Sequence, residues 1–158
     1  MSTQEVSAEP DLPDTAWVRF LRAHAALTRE LSSRLEAVHE LTLSDFDVLV
    51  QLYYADGRRM RRIDLARSVL LTASGITRLL DGLESAGLVA KERCDSDARV
   101  TYAVLTAAGI KKIEEARDSH LADIEELFGS RFSPDERDQL AELLGRLPLA
   151  HTAEPCSA

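Results

Sequence analysis

In the middle of this 158-residue chain the spacing of the apolar residues changes from a helical period to a strand period. Intervals of three and four residues predict a short helix over residues 63–69 and, after a tight turn, a second helix that Thr72 caps and Gly87 ends. The buried stripe of this second helix should consist of Ile76, Leu79, Leu80 and Leu83. Two strand-like runs follow, at 88–93 and 100–105, and the polar residues between them suit the tip of a hairpin. The central pattern therefore predicts a helix-turn-helix followed directly by a β-hairpin.

Two helices are predicted before this central unit and two after it. A long amphipathic helix covers residues 15–40, and Ser44 with Asp47 three residues later resembles the capping box of the next helix. Thr106 can cap another long helix, and Ser133, followed by a proline and two acids, opens the last one. The chain is therefore predicted to be mainly α-helical with a small β-hairpin wing, as in a winged helix-turn-helix held between terminal helices.

Length and composition indicate one globular domain. A hydrophobic content of 45% and a charged content of 29% exclude disorder along most of the length and a collagen-like or disulfide-rich class. The apolar runs are far shorter than the roughly 18 residues that a transmembrane helix needs, and the N-terminus lacks a signal-peptide pattern. We therefore expect a cytoplasmic protein without a membrane role, in which Cys94 and Cys156 are free thiols.

The charge is distributed unevenly along the chain. The net charge of −8 by itself argues against a nucleic-acid partner. Residues 58–99, however, contain nine basic and six acidic residues, a net of +3, so the remainder of the chain carries −11. Because local charge decides where a polyanion docks, such a partner should bind to residues 58–99.

The helix after the turn is the predicted DNA-reading element. In such modules this helix enters the major groove, and the wing reaches the flanking backbone or the minor groove. With the apolar stripe facing the core, the 3.6-residue period places Ser74, Thr77 and Arg78 on the outside. These three side chains are candidates for contacts with base edges and phosphates.

Several short motifs in this region resemble the multiple-antibiotic-resistance regulator (MarR) family. Residues 71–89 contain a T-R-L-x-D-x-L-E helix and an A-G-L-V helix end, residues 97–99 a D-x-R wing, and residues 105–109 an L-T-x-x-G helix start. The resemblance implies a homodimer that binds a pseudo-palindromic double-stranded DNA operator, as a repressor or less often an activator. It also implies release of the DNA by an oxidant or by a small-molecule ligand, often aromatic.

The resemblance also suggests how the chain is divided. Flexible tails are expected at residues 1–14 and 148–158, on either side of a MarR-type winged-helix domain over 15–147. Within that domain the resemblance implies dimerisation helices at 15–40 and 107–147 and a DNA-binding lobe at 44–105.

Candidate DNA contacts follow from the position of a residue in these motifs and from its predicted exposure on the outer face of its element. They are Thr72, Ser74, Thr77 and Arg78 of the fourth helix, Arg61 and Arg62 beside the third, and Lys91, Arg93 and Arg99 of the hairpin. Positions 73, 82 and 98 are Ala, Gly and Ala, where relatives often have basic residues, and the arginines at 58, 59, 61 and 62 could compensate by gripping the backbone. Asp97 is assigned a structural role in the wing, since an acid near phosphates helps only by orienting an arginine.

An effector site is predicted from aromatic side chains. Trp17, Phe20 and His24 on the first helix, with Phe46 and Tyr53 on the second, could line an aromatic-ligand crevice or belong to the dimer core. Oxidation of Cys94 could instead move the wing off DNA, although an unreactive thiol is the simpler interpretation. The pattern requires no cofactor, and the histidines lack the partner spacing of a metal site.

The sequence contains no catalytic constellation. It has neither a glycine-rich phosphate loop after a strand nor a G-x-S-x-G elbow, so an enzyme is not expected. The alternative to a DNA-binding regulator is a winged-helix dimer that acts mainly as a protein-interaction or ligand-sequestering module. The net acidity and the missing basic residues would suit that alternative.

Overall fold

A computed structural model describes residues 12–69 and 75–148 of the chain. The helices are α1 (Leu12–His39), α2 (Leu43–Tyr54), α3 (Arg62–Ser68), α4 (Ile76–Ser85), α5 (Ala107–Leu127) and α6 (Pro134–Leu144). The strands are β1 (Arg59–Arg61), β2 (Val89–Arg93) and β3 (Thr101–Leu105). The fold is mainly helical with a small antiparallel sheet, as predicted. Within the two described ranges, no helix combines the length and apolar character that crossing a membrane requires.

The three strands form one antiparallel sheet in the order β1-β3-β2. β2 and β3 are the predicted hairpin, paired in register from Val89 to Arg93. β1 was not predicted: it pairs with the other side of β3, with Met60 opposite Ala103. A strand of three residues is too short to show a period, and only its pairing with a distant segment defines it. The arginines on either side of Met60 therefore lie on an edge strand of the wing.

The hydrophobic core is centred on α2. Its fully buried side chains are Val48, Leu49 and Leu52 of α2, Leu65 of α3, Leu80 of α4, Ile113 of α5 and Leu35 of α1. We call α2, α3, α4 and the sheet the lobe, and the paired α1 and α5 the stalk. Because the buried residue of α1 lies in its C-terminal half, the lobe packs on that end of the stalk.

The N-cap of α2 is two residues earlier than the predicted capping box at Ser44 and Asp47. The Oγ1 of Thr42 accepts a hydrogen bond from the Asp45 N–H at 3.0 Å, and the Asp45 carboxylate accepts one from the Thr42 N–H at 2.9 Å. The prediction was wrong because the same pattern, a hydroxyl residue followed three positions later by Asp, occurs twice. The two aspartates differ in burial, since Asp45 is half-buried whereas Asp47 is only 7% exposed. The N-cap predicted at Ser133 for α6 is confirmed.

Helix α4 starts later than the sequence predicts. Its first residue is Ile76, which follows Gly75 in the left-handed conformation at φ = +81°. Thr72, the predicted cap, lies in the segment 70–74, outside the described residues. The described part of the helix therefore begins directly after a left-handed glycine.

Helix α4 ends at the predicted glycine. Gly87 has φ = +75°, and the N–H groups of Gly87 and Leu88 donate to the carbonyls of Glu84 and Leu83, each at 3.0 Å. This is a Schellman motif, whose positive φ costs glycine little because it has no Cβ. The chain then turns directly into β2.

The A-G-L-V and L-T-x-x-G motifs pack against each other. The Oγ1 of Thr106 accepts a hydrogen bond from the Gly109 N–H at 3.0 Å, which confirms the predicted cap of α5, and its hydroxyl donates to the Gly87 carbonyl at 2.7 Å. The Thr106 N–H donates to the Leu88 carbonyl at 3.1 Å. A Cβ at Gly109 would overlap that carbonyl. The two motifs thus hold the start of the stalk helix against the start of the wing.

Candidate nucleic-acid interface

The outer face of α4 is a row of exposed side chains. Thr77, Arg78 and Asp81 are exposed, whereas Leu80 and Leu83 on the opposite side are buried. The predicted division of this helix into core and outer residues is therefore confirmed for its described part. The Arg78 guanidinium has no hydrogen bond or ion pair with any described residue, so it is available to an external anion.

The tip of the wing is shaped by Asp97. Its carboxylate accepts a hydrogen bond from the Arg99 N–H at 3.0 Å, and its carbonyl accepts one from the Val100 N–H at 3.0 Å. The contact to Arg99 is with the backbone and not with the guanidinium. Arg99 is exposed and forms no ion pair within the described residues. The turn therefore presents the Arg99 side chain to solvent.

Three cations of the basic segment are already paired with carboxylates of the same chain. Arg59 lies over the Tyr102 ring, 4.8 Å from its centroid, and bonds Glu92 at 2.9 Å. Arg61 forms two hydrogen bonds with Asp64. The Lys91 Nζ lies 3.7 Å from a Glu84 oxygen. A phosphate would have to compete with these partners, so the basic segment offers DNA less charge than its residue count suggests.

Arg58 and Arg62 are half-buried. The Arg58 guanidinium lies over the Tyr53 ring, 4.1 Å from its centroid, and donates to the Tyr53 carbonyl at 3.5 Å. One guanidinium nitrogen of Arg62, Nη2, is buried without a hydrogen-bond partner. Both side chains are held against the lobe. The arginines at 58, 59, 61 and 62 are therefore less available for contacts with a phosphate backbone than the sequence suggests.

Four arginines of the lobe remain exposed and make no ion pair with any residue in 12–69 or 75–148. They are Arg67 at the end of α3, Arg78 on α4, Arg93 at the end of β2 and Arg99 at the tip of the wing. Three of them were predicted as DNA contacts, and Arg67 was missed. The signal that could have found it is its position in the last turn of the first helix of the helix-turn-helix. Ser74 lies outside the described residues.

The five side chains predicted to line an effector crevice are not brought together. Trp17 and Phe20 are exposed in the N-terminal half of α1, with ring centroids 6.3 Å apart. Phe46 is buried in the core. Tyr53, about two turns further along α2, donates a hydrogen bond to a carboxylate of α5 at 3.0 Å. A helical period places residues on a face without saying which element covers it, and an effector site at these five residues stays a prediction. Of the five, His24 lines a cleft.

That cleft lies between α1 and the start of α2 and has a volume of about 510 Å³. Its lining residues are His24, Ala25, Thr28, Arg29 and Ser32 of α1 with Leu43 and Ser44 of α2. The Ser32 Oγ accepts a hydrogen bond from the Leu43 N–H at 3.1 Å, so stalk and lobe are joined directly beside the cleft. A guanidinium, an imidazole and several hydroxyls suit a small molecule with an acidic or hydroxyl group.

A second cleft, of about 390 Å³, separates α4 from the start of α2. Arg78 and Gly82 line it from α4, and Ser44 lines it from α2. Apart from the chain neighbours of Gly82 and the backbone of α4 itself, no atom of the described residues lies within 4 Å of where a Cβ at Gly82 would be. The outer face of α4 therefore has room for a larger side chain at this position.

Cys94 is half-buried where β2 ends. Its Sγ lies 3.1 Å from the Ser96 Oγ, and the hydrogen bond from Ser96 lowers the pKa of the Cys94 thiol. A redox role for this thiol stays a prediction. No group of three or more His, Cys, Asp or Glu side chains suited to a metal ion occurs in the described ranges.

Known proteins resemble this chain in sequence and in fold. The MarR family profile matches residues 41–101. The uncharacterized HTH-type transcriptional regulator YkoM of Bacillus subtilis (strain 168) is 33% identical over 125 residues, which are 79% of this chain and 79% of YkoM.

Two solved structures share the fold. Sco3205, a MarR family transcriptional regulator from Streptomyces coelicolor in complex with DNA, has a TM-score of 0.80 at 24% identity, covering 88% of this chain and 89% of that one. The organohalide-sensing transcriptional regulator RdhR-CbdbA1625, in its 2,4-dichlorophenol-bound form, has a TM-score of 0.77 at 17% identity, covering 91% of this chain and 87% of that one. The likeness therefore extends beyond the lobe into the terminal helices.

Proposed function

The chain belongs to the MarR family of transcriptional regulators, and on this premise we propose that it binds a pseudo-palindromic DNA operator as a homodimer and represses transcription until a small effector releases it. The observation that carries the proposal is the exposed face of α4, where Thr77 and Arg78 have no competing partner among the described residues. Family membership also confirms that the chain is a regulator and not an enzyme.

In this proposal α4 of each protomer enters a major groove, and the wing lies along the flanking DNA. Arg78 and Thr77 contact base edges or adjacent phosphates, while Arg93, Arg99 and Arg67 contact the backbone. The support is electrostatic: four exposed guanidiniums of one lobe lack an ion-pair partner within the described residues. Ser74 and Thr72 remain proposed contacts on motif position alone. Arg61, Arg62 and Lys91 contribute less, because the fold already holds them.

The homodimer is supported by apolar surface outside the lobe. Large exposed side chains occur on α1, α5, α6 and the turns beside them: Trp17, Val18, Phe20, Leu21, Leu121, Phe128, Phe132, Leu143 and Leu147. Large apolar side chains exposed in this number on the terminal helices favour an interface, since water solvates them poorly. We propose that a second copy of the chain covers them.

The effector is proposed to bind in the cleft between α1 and α2. Arg29, His24 and the neighbouring hydroxyls could pair with the acidic or phenolic group of a small aromatic molecule. The phenol-bound form of RdhR supports this ligand class for a protein of the same fold. Because the cleft separates stalk from lobe, an occupant that wedges it open would change the spacing of the two α4 helices.

The test is selection of bound sites from a random duplex library at about physiological salt, followed by affinity measurements on the enriched site. We expect a palindrome whose half-sites are about one helical turn apart. Arg78→Ala should weaken binding by about five- to 150-fold if the guanidinium reads a base. Gly82→Lys should strengthen it and steepen the salt dependence by about 0.9 per added phosphate contact.

Arg146→Ala is the matched control. Arg146 lies just beyond α6 and pairs with Glu142 at 3.3 Å, so this variant loses the same charge away from α4 and should bind as the wild type does. Equal losses for Arg78→Ala and Arg146→Ala would show that only net charge matters. Failure to enrich any site would favour the alternative of a protein-interaction or ligand-sequestering module.

A further inference from the structure

His120 of α5 is an imidazole enclosed where the stalk meets the lobe. It is 5% exposed, and its ring centroid lies 4.4 Å from that of Phe46 in α2. Its Nδ1 is buried and has no hydrogen-bond partner among the described residues. Burial lowers the pKa of His120, and the Asp123 carboxylate opposes this shift. The site therefore accommodates a neutral ring and disfavours a charged one.

The carboxylate that acts electrostatically on His120 is already paired with another cation. Asp123, three residues along α5, accepts a hydrogen bond from Arg34 of α1 at 2.8 Å. Arg34 also bonds Glu126 of α5 at 3.0 Å and Glu30 of its own helix at 2.9 Å. This guanidinium with its three carboxylates is the main polar bridge between the two stalk helices. A new cation at His120 would have to compete with it for Asp123.

Helix α2 contacts His120 through the Phe46 ring. The next residue, Asp47, hydrogen-bonds Gln51 within α2 at 3.5 Å. On the side of α1, His39 bonds the hydroxyl of Ser119, the residue before His120, at 2.7 Å. The carboxylate that favours a protonated His120 is that of Asp123, which opposes the effect of burial on the His120 pKa.

The same region holds the connection from stalk to lobe. Glu40 adopts a left-handed φ of +56°, which is uncommon for a residue with a side chain. The Lys112 Nζ of α5 donates to the His39 carbonyl at 3.2 Å. Helix α5 therefore holds the short link between α1 and α2, and a movement of α5 against α2 acts on the angle of the lobe.

We propose that His120 is an acid-sensitive latch between stalk and lobe, and that its protonation weakens operator binding. A ring that takes up a proton from water becomes a buried cation. Either Asp123 leaves Arg34 to pair with it, which loosens α1 from α5, or the ring leaves Phe46 for water, which loosens α2 from α5. Both movements change the spacing of the two α4 helices in a dimer. This effect on DNA rests on the proposed function, whereas the latch itself does not.

The direct test is an NMR titration of the histidine rings in the full chain, with and without Asp123→Asn. We expect His120 to titrate below its ordinary value of about 6.5 and to titrate lower still in Asp123→Asn, which removes the anion that favours the charged ring. A His120 that titrates at or above about 6.5 in the wild type, or that Asp123→Asn leaves unmoved, overturns the latch.

The stability test compares the wild type with His120→Leu, which is apolar and cannot titrate. Because the pKa of His120 is lower in the folded protein than in the unfolded chain, protons bind preferentially to the unfolded chain at low pH. Stability is therefore lost as the pH falls from the pKa of His120 in the unfolded chain towards its pKa in the folded protein. Between about pH 7.5 and about pH 5.5 the wild-type melting temperature should fall by about 2 to 4 °C more than that of His120→Leu. His120→Gln, similar in size and able to hydrogen-bond, serves if the leucine variant does not fold. Parallel pH profiles would refute the latch.

Operator binding is then measured over the same pH range. Relative to His120→Leu, the wild type should lose at least about fivefold in affinity on acidification. If both proteins bind the operator with the same pH dependence, the coupling is wrong and the proposed function stands. If neither selects an operator at about pH 7.5, the proposed function fails, and the titration and melting experiments still decide the latch.

Discussion

Two glycine-to-alanine substitutions should have opposite effects on stability, although the chemical change is the same. Gly109 is in the first turn of α5, where a Cβ would overlap the Leu88 carbonyl and crowd the Leu105 side chain. Gly82 is in the middle of α4, where a Cβ would meet no atom of another described segment within 4 Å. Neither glycine has a positive φ, so backbone strain does not enter. The two positions differ in the atoms of other segments that a new Cβ would contact.

The magnitudes follow from these surroundings. Alanine in place of a helical glycine contributes about 1 kcal/mol of stability, and at Gly82 nothing opposes this gain. At Gly109 the same gain is offset by overpacking against a backbone carbonyl, which costs about 1 to 3 kcal/mol. Moving α5 away would also weaken the two hydrogen bonds that Thr106 makes to Gly87 and Leu88, at about 1 kcal/mol each. We expect Gly109→Ala to be destabilising by about 2 kcal/mol.

Thermal unfolding followed by circular dichroism measures both effects. The three proteins must be compared at one protomer concentration, because association stabilises the folded state. The melting temperature of Gly109→Ala should fall by about 4 to 8 °C, and that of Gly82→Ala should rise by about 2 to 4 °C. A Gly109→Ala protein as stable as the wild type would refute the close packing of α5 on the wing.

Two further outcomes test local features of the fold. Thr42→Ala should lower the free energy of unfolding, measured by urea denaturation, by about 1 kcal/mol because it removes the N-cap of α2. Ser44→Ala should be close to neutral. A larger loss for Ser44→Ala than for Thr42→Ala would contradict the cap at Thr42. Arg34→Met should weaken the acid dependence of stability. Hydrogen bonding to Arg34 lowers the pKa of Glu126 below its ordinary value, so this stabilisation is fully present above the pKa of Glu126 in the unfolded chain and is lost as the pH falls through its pKa in the folded protein. The unfolding midpoints of wild type and Arg34→Met should therefore converge between about pH 5 and pH 3, and a constant difference would contradict this role.

Much of the fold could be read from the sequence because its signals are local. The Schellman motif at Gly87, the cap at Thr106 and the alternation of β3 each involve residues within a few positions of one another. The order of helices and hairpin follows from such signals, and so does the outer face of α4. The motifs that resemble the MarR family lie in these same segments, so the sequence indicated the family before any contact was known.

The tertiary structure decided which of the predicted side chains are available. Three basic residues of the lobe are paired with carboxylates from other positions in the chain, and Phe46 is covered by α5 instead of facing a cleft. The cap at Thr42 was preferred over an identical pattern at Ser44 because burial of Asp47 excludes the second. The strand β1 exists only through its pairing with β3.

The sequence by itself determined the order of the elements, their principal caps and the family, because hydrogen bonds and apolar periods within a few residues encode them. Only the tertiary structure decided which arginines remain free, which aromatic residues are buried, and why Gly109 tolerates no side chain while Gly82 has room for one. Those properties depend on which atoms of another segment lie opposite a residue and how close they are, and both are set by the packing of the whole chain.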